Sequence, residues 1–205
     1  MRKVIIVEGK QDAAFVKVLA PDLEVREIEL KELEGGGKNH QDTLRKALKA
    51  IQNDNQFNPV DKIGILLDLD PGDFTVESRL AFVNECTEIV FGIKLESINA
   101  FRQASDLQLA CHFIQPNLDV LLRKIAAKPS PRADCLHACL ASQENAKQKE
   151  SEKAWPLYYM RWDICDFAER ANGAKNVSFN YTHSKGAWNI EAPDLAELKA
   201  FLSLF

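Results

Sequence analysis

The stretch that decides the fold is Ile63-Gly64-Ile65-Leu66-Leu67-Asp68-Leu69-Asp70, an apolar run that leads directly into two aspartates. A continuous apolar run of this kind is typical of a strand buried on both faces of a parallel sheet. The run Val4-Ile5-Ile6-Val7, followed by Glu8-Gly9, has the same character. We therefore predict two buried strands, each with a carboxylate at its carboxyl end.

Helical patterns alternate with strand patterns through the first half of the chain. Helices are predicted over 12–19, from about 39 to 51 and over 75–86, and further strands over 23–30 and 107–114. Ile89-Val90-Phe91 is compatible with an extra strand. This alternation predicts an α/β fold with a mostly parallel, doubly wound sheet flanked by helices.

The character of the sequence changes after Pro116, where helical patterns dominate. Helices are predicted over 118–127 and 135–150, with a break at Pro129-Ser130-Pro131, and a last amphipathic helix follows Pro193. We expect this tail to pack back onto the sheet. The predicted organisation is an α/β domain over residues 1–128 and a mainly helical C-terminal extension over 129–205.

Composition limits the classes of protein to which the chain can belong. It has 205 residues, 46% of them hydrophobic and 27% charged, which is typical of a folded globular protein. A formal net charge of −4 argues against a basic DNA-coating module. The apolar run near the amino end is too short for a secretory signal or a membrane span, and the five cysteines do not form a disulfide framework. We expect a cytoplasmic protein with no membrane partner, and the oligomeric state stays open.

Three carboxylates follow buried strands: Glu8 follows the first, and Asp68 and Asp70 follow a later one. Ligands of open parallel sheets bind beyond the carboxyl ends of the strands, so these side chains can converge there. Clustered carboxylates repel one another unless a cation neutralises them, and Mg²⁺ prefers such hard oxygen ligands. The alternative is that Asp-x-Asp-Pro-Gly is only a turn.

These residues resemble the motifs of the Toprim domain, the catalytic module shared by topoisomerases, bacterial primases, ribonuclease M5 and nucleases of the overcoming-lysogenization-defect family. The matching stretches are Val7-Glu8-Gly9-Lys10-Gln11-Asp12, Leu66-Leu67-Asp68-Leu69-Asp70 and the turn Gly35-Gly36-Gly37 between them. The resemblance covers about residues 1–115 and implies a Toprim-like sheet. The remainder is similar to uncharacterised bacterial Toprim-related proteins through a helix around His137 and the amphipathic last helix.

The resemblance implies a Mg²⁺-dependent phosphodiesterase or nuclease that acts on nucleic acid. Asp68 and Asp70 would hold Mg²⁺, or Mn²⁺ in its place, and Glu8 would be a third ligand or the catalytic acid or base. Lys10 would bind phosphate, with simple solvation as the alternative. Asp12 is better interpreted as a helix N-cap and Asp73 as a turn residue.

Two other functions remain open. A non-catalytic Toprim-like module would bind a nucleotide or a protein and serve regulation, in keeping with the acidic pI. A haloacid-dehalogenase-like phosphatase would use Asp68 as its nucleophile, but the usual Gly-Thr after the second aspartate is replaced by Pro71-Gly72, and Glu8 would have no role.

Aromatic and basic groups add further candidates. The cluster from Trp155 to Trp162 is compatible with core packing or with stacking on nucleic-acid bases beside Arg161. Two basic groups are compatible with a phosphate backbone or with plain solvation. Their members are Arg45, Lys46 and Lys49 in one group, and Arg123, Lys124, Lys128 and Arg132 in the other.

Overall fold

A five-stranded sheet, the centre of the α/β architecture, has strand order β2-β1-β3-β5-β4. The computed structural model describes residues 2–33, 40–55, 57–70, 74–143, 148–171 and 178–205. The strands are β1 (Arg2–Val7), β2 (Ile28–Glu32), β3 (Val60–Asp68), β4 (Arg102–Ala104) and β5 (Leu107–Ile114). β1 is parallel to β2 and β3, β3 is parallel to β5, and β4 pairs with β5 in the antiparallel direction. The predicted mostly parallel α/β fold is confirmed.

The helices that accompany the sheet are α1 (Lys10–Leu19), α2 (His40–Asp54) and α3 (Val76–Phe91). The helices α4 (Leu118–Lys124), α5 (Pro131–Ala141), α6 (Gln148–Tyr158), α7 (Phe167–Ala171) and α8 (Phe179–Ser184) follow. A π-helix (Tyr159–Ile164) continues α6, and a 3₁₀ turn (Pro193–Leu195) leads into α9 (Ala196–Ser203). The predicted helical C-terminal region is therefore confirmed.

The two faces of the sheet are covered by different helices. Val4, Ile6, Ile63 and Ile65 belong to a core cluster with apolar residues of α2 and α3. On the other face, Gly64 lies under α9 and the chain end, where a Cβ would approach Cζ of Phe205 to 2.7 Å. Both central strands are thus buried on both faces, as their unbroken apolar sequences predict.

Several element bounds differ from the sequence-based expectations. Val25 lies in a turn and is 87% exposed, because β2 begins only at Ile28. Ile89-Val90-Phe91 is the last turn of α3, since Gly92 ends that helix in the left-handed conformation that glycine tolerates. Asp12 is in the first turn of α1, whose N-cap is Gly9, so the N-cap interpretation is wrong. Gly35-Gly36-Gly37 and Pro71-Gly72-Asp73 lie outside the described residues.

Two compact units make up the chain. The sheet unit comprises Met1–Pro116 and Ala196–Phe205, and the helical unit comprises Asn117–Leu195. The last helix, α9, belongs to the sheet unit and packs against β5. The predicted packing of the whole 129–205 extension on the sheet, with its single boundary after residue 128, stays a prediction. Among the helices of the described ranges, none combines the length and apolar character that a membrane span requires.

Candidate functional site

The parallel strands finish together at one end of the sheet, which we call the carboxyl edge. Val7 of β1 lies opposite Glu32 of β2 and Leu66 of β3, and Asp68 of β3 lies opposite Ile114 of β5. Glu8 directly follows β1, and Asp68 is the last residue of β3. Adjacent parallel strands therefore bring the predicted residues Glu8 and Asp68 to the same edge.

Glu8 is joined directly to the end of β3. Its Oε1 accepts a hydrogen bond from the backbone N–H of Asp68 at 3.0 Å. A buried N–H that loses its strand partner needs another acceptor, and the carboxylate of Glu8 supplies one where β1 has ended. The first acid of the proposed site thus positions the backbone of the second.

Arg79 of α3 is the main contact of Glu8 and was not predicted as a site residue. Its Nη2 donates to Oε1 of Glu8 at 2.7 Å, and the two side chains form an ion pair with exposed fractions of 2% for Arg79 and 17% for Glu8. The guanidinium carbon is 4.6 Å from the ring centre of Phe74 and 5.0 Å from that of Phe82. Among the described residues, both hydrogen bonds to the Glu8 carboxylate end on Oε1 rather than on Oε2.

The segment after β3 is fixed to the end of β5. Leu69 donates its N–H to the carbonyl of Ile114 at 3.0 Å, and Asp70 donates its N–H to the carbonyl of Pro116 at 2.9 Å. Asp70 has φ of 49°, in the left-handed region that few residues other than glycine adopt. Its carbonyl accepts a hydrogen bond from Phe74 at 3.1 Å. The Asp-Leu-Asp segment is therefore a defined turn at the carboxyl edge.

Two buried nitrogen donors in or next to this edge have no hydrogen-bond partner among the described residues: Nε of Arg79 and Nε2 of Gln11, in the first turn of α1. Buried donors are normally satisfied, so an unsatisfied pair suits a ligand with acceptor oxygens. Lys10 is exposed at the first position of α1. The hydrogen-bond donors at the carboxyl edge are therefore of the type that binds phosphate oxygens.

The carboxylates do not form a three-ligand cage. Across the described ranges, no three His, Cys, Asp or Glu side chains are grouped so that they could hold a metal ion. Mg²⁺, however, is commonly held by one or two carboxylates together with waters and substrate phosphates. The donor chemistry of Asp68 and Asp70 fits that mode, while Glu8 already has a cationic partner in Arg79.

The first basic group of the sequence divides in the structure. Arg45 lies within 3.9 Å of Asp42 and 3.6 Å of Glu85, which makes it a contact between α2 and α3. Lys46, by contrast, lines a cavity of about 350 Å³ between α2 and the end of β2, together with Lys31 and Thr43. Lys46 thus lies at a cavity beside the last residues of β2.

The second basic group serves mainly internal contacts of the helical unit. Arg123 contacts His137 at 3.0 Å and Asp134 at 3.4 Å, and Lys124 lies 3.9 Å from Asp194. Lys128 donates to the carbonyl of Lys185. These contacts account for the positions of the Arg123, Lys124 and Lys128 side chains without a nucleic-acid partner.

A family model matches almost the whole chain. It covers residues 2–205 and is described as "Protein of unknown function (DUF3226)". The chain belongs to this family. No curated protein matches the chain, and no solved structure matches it. The resemblance to the Toprim domain stays a prediction, and the geometry at the carboxyl edge is the basis for any functional proposal.

Proposed function

We propose that this DUF3226 chain is a Mg²⁺-dependent phosphodiesterase or nuclease that acts on nucleic acid at the carboxyl edge. The observation that carries the proposal is the junction of Glu8 with both the Asp68 backbone and the buried Arg79. A buried guanidinium is destabilising unless it is well paired, and a buried ion pair is weak evidence for stability. The proposal includes a cytoplasmic location, which five free cysteine thiols support.

Each residue has a defined role in this proposal. Asp68 and Asp70 hold the metal through their carboxylates, and Glu8 moves a proton at the phosphoryl centre through Oε2. Arg79 fixes Oε1 of Glu8 and so orients the carboxylate. Lys10 neutralises charge on the substrate phosphate. Bound Mg²⁺ would polarise a phosphoryl oxygen and acidify a bound water.

The test is cleavage of labelled DNA and RNA, single- and double-stranded, by the purified full chain with Mg²⁺, Mn²⁺ or EDTA. We expect metal-dependent cleavage that falls more than about 100-fold in Asp68→Asn/Asp70→Asn and in Glu8→Gln, because loss of general acid–base catalysis alone is worth roughly 10²–10⁴. Asp106→Asn is the matched control. Asp106 is an exposed aspartate directly before β5, so it lies at the end of that strand opposite the carboxyl edge. Cleavage that survives in both site variants, or no cleavage of any substrate, would overturn the proposal.

One observation favours a second function, the non-catalytic binding module. Glu8 is neutralised by Arg79 of the same chain, so at least this carboxylate needs no metal. Such a module would bind a nucleotide or a protein without metal. It predicts that binding in EDTA persists in Asp68→Ala, whereas the catalytic proposal predicts metal-dependent turnover that this variant loses.

A further inference from the structure

The aromatic residues between Trp155 and Phe167 divide into a buried and an exposed set. Trp155 and Tyr159 are 1% and 0% exposed, and their rings stack at 4.9 Å. Their polar atoms are satisfied inside the helical unit: Trp155 Nε1 donates to Asp134 at 2.8 Å, and the Tyr159 hydroxyl donates to the carbonyl of Ala187 at 2.9 Å. These two residues are core residues, as the core-packing interpretation predicts.

The exposed set has no such explanation. Tyr158 is 40% exposed, Trp162 is 37% exposed and Phe167 is 79% exposed. They lie at the end of α6, in the π-helix and at the start of α7. Single exposed apolar residues are ordinary, but three exposed aromatic rings within ten residues of one segment are a candidate for a binding surface.

Arginines surround the ring of Trp162. The guanidinium carbons of Arg161 and Arg170 are 5.7 and 5.1 Å from its centre, and Arg132 donates to its backbone carbonyl. Cations at these distances from an indole are attracted to its face. The exposed ring of Trp162 therefore lies beside positively charged side chains.

The acidic side chains of the same segment have partners of their own, and Asp163 is paired with Arg132 at 3.8 Å. The carboxylate of Asp163 is 1% exposed and accepts N–H bonds from Arg132 at 3.2 Å and Ala133 at 2.9 Å, at the start of α5. Glu169 forms an ion pair with Lys185, and exposed Asp166 accepts the N–H of Glu169 at 2.9 Å. With Glu169 paired to Lys185, the three arginines exceed the two remaining carboxylates, Asp163 and Asp166, by one positive charge.

The helical unit is close to neutral in charge, whereas the rest of the chain is acidic. Asn117–Leu195 contains 11 Lys and Arg against 10 Asp and Glu, whereas the rest of the chain contains 15 against 20. The acidic pI of the whole chain thus reflects the sheet unit. A phosphate backbone would meet less repulsion at the helical unit.

We propose that this aromatic–arginine surface binds single-stranded nucleic acid. It consists of Arg132, Tyr158, Arg161, Trp162, Phe167 and Arg170. Exposed rings stack on unpaired bases of any sequence, while arginines contact the backbone phosphates and the base faces. In a duplex the base faces are stacked on one another, so they are not available for stacking on the aromatic rings. The inference deepens the proposed function, on which it rests, by naming a single strand as the nucleic acid.

The test is fluorescence anisotropy of the full chain with labelled oligothymidylate, oligouridylate and a labelled duplex, in EDTA so that binding is measured without cleavage. We expect Trp162→Ala and Phe167→Ala to raise Kd for single strands by about 5- to 150-fold each, the range for loss of one base–aromatic stack. Arg161→Gln should weaken binding and reduce its salt dependence. Phe57→Ala is the matched control, because Phe57 is 82% exposed in the sheet unit.

Three outcomes would overturn the inference: single-strand Kd unchanged in Trp162→Ala and Phe167→Ala, equal affinity for the duplex, or no binding to any probe. A dimer that these variants convert to monomers would assign the surface to a second copy instead. Trp162→Phe, which keeps a ring, should restore most of the affinity and so exclude a folding defect.

Failure of the proposed function gives a different result. If single strands bind through Trp162 but are never cleaved, the catalytic proposal fails and the surface remains. If cleavage depends on Asp68 and Asp70 but single-strand binding does not depend on Trp162 or Phe167, only the surface assignment fails.

Discussion

Both units bury polar side chains that support the backbone, but the ion pairs of the two units differ, since the arginine is 2% exposed in the Arg79–Glu8 pair of the sheet unit and 61% exposed in the Arg132–Asp163 pair of the helical unit. In the helical unit, buried polar atoms support the backbone: Tyr159 bonds to the carbonyl of Ala187, and Asp163 accepts N–H groups at the start of α5. In the sheet unit, Arg79 and Glu8 form an ion pair at the carboxyl edge. Satisfied backbone contacts are explained by folding alone, whereas a buried ion pair is weak evidence for stability and therefore suggests a use.

The largest expected effect comes from breaking that ion pair. We expect Arg79→Met to lower the free energy of unfolding by about 3–4 kcal/mol, because loss of one partner leaves a half-buried carboxylate without its charge partner. Urea unfolding followed by circular dichroism measures it. Glu8→Gln/Arg79→Met should recover part of the loss. Arg102→Met is the matched control, since Arg102 is 56% exposed in its own ion pair. An equal loss of stability in Arg79→Met and Arg102→Met would show that burial of the Arg79–Glu8 ion pair has no effect of its own.

The stability of the sheet unit should also depend on pH through a second buried group, His112. It is 4% exposed, contacts Asn99 at 2.7 Å and stacks on Phe201, and burial lowers its pKa to about 4. The unfolded chain therefore binds more protons than the folded chain between about pH 6.5 and 4. The stability due to neutral His112 is complete above about pH 6.5 and is lost as the pH falls toward 4.

We expect this loss to reach about 3 kcal/mol, since one unit of pKa shift corresponds to about 1.4 kcal/mol. The measurement is urea unfolding at a series of pH values for the wild type and His112→Gln. The difference in slope between the two proteins isolates His112 from other titrating groups. Parallel pH profiles would show that His112 carries no such linkage.

Packing under the sheet should produce the next effect. We expect Gly64→Ala to lower the free energy of unfolding by about 1–3 kcal/mol, because the added Cβ would approach Phe205 Cζ to 2.7 Å and Phe201 Cζ to 3.2 Å. Thermal unfolding measures the change. Combining it with Phe205→Leu should be less damaging than the sum of the single changes. If the two changes in the free energy of unfolding are strictly additive, α9 and the chain end are not in close contact with β3 at Gly64.

Sequence patterns predicted the sheet and the position of its acids. Unbroken apolar runs mark β1 and β3 because both are buried on both faces, and the acids that follow them lie at the carboxyl edge. Arg79 was missed because a lone arginine in a helix is ordinarily exposed. The available signal was its helical spacing from Val76 and Val83, which places a cation on the apolar face of α3.

Patterns in the helical unit were less informative for a physical reason. Aromatic residues favour both cores and binding surfaces, so composition alone does not separate buried Trp155 and Tyr159 from exposed Trp162. The π-helix adds a further obstacle, because its wider turn shifts the 3.6-residue period on which a face assignment depends. Tertiary packing alone separates the two sets.

The smallest expected effect tests whether hydroxyl contacts hold the helical unit together. Tyr159→Phe removes the acceptor of the Lys128 N–H and the donor to the Ala187 carbonyl, and we expect it to lower the free energy of unfolding by about 1–2 kcal/mol. Tyr158→Phe is the matched control in the neighbouring position, where the side chain is 40% exposed, and it should change little. Urea unfolding of both variants, with ring fluorescence as a local probe, measures the difference. If the two substitutions are equivalent, the buried hydroxyl is not what distinguishes Tyr159 from Tyr158, and the stacking of Tyr159 on Trp155 alone accounts for its place in the core.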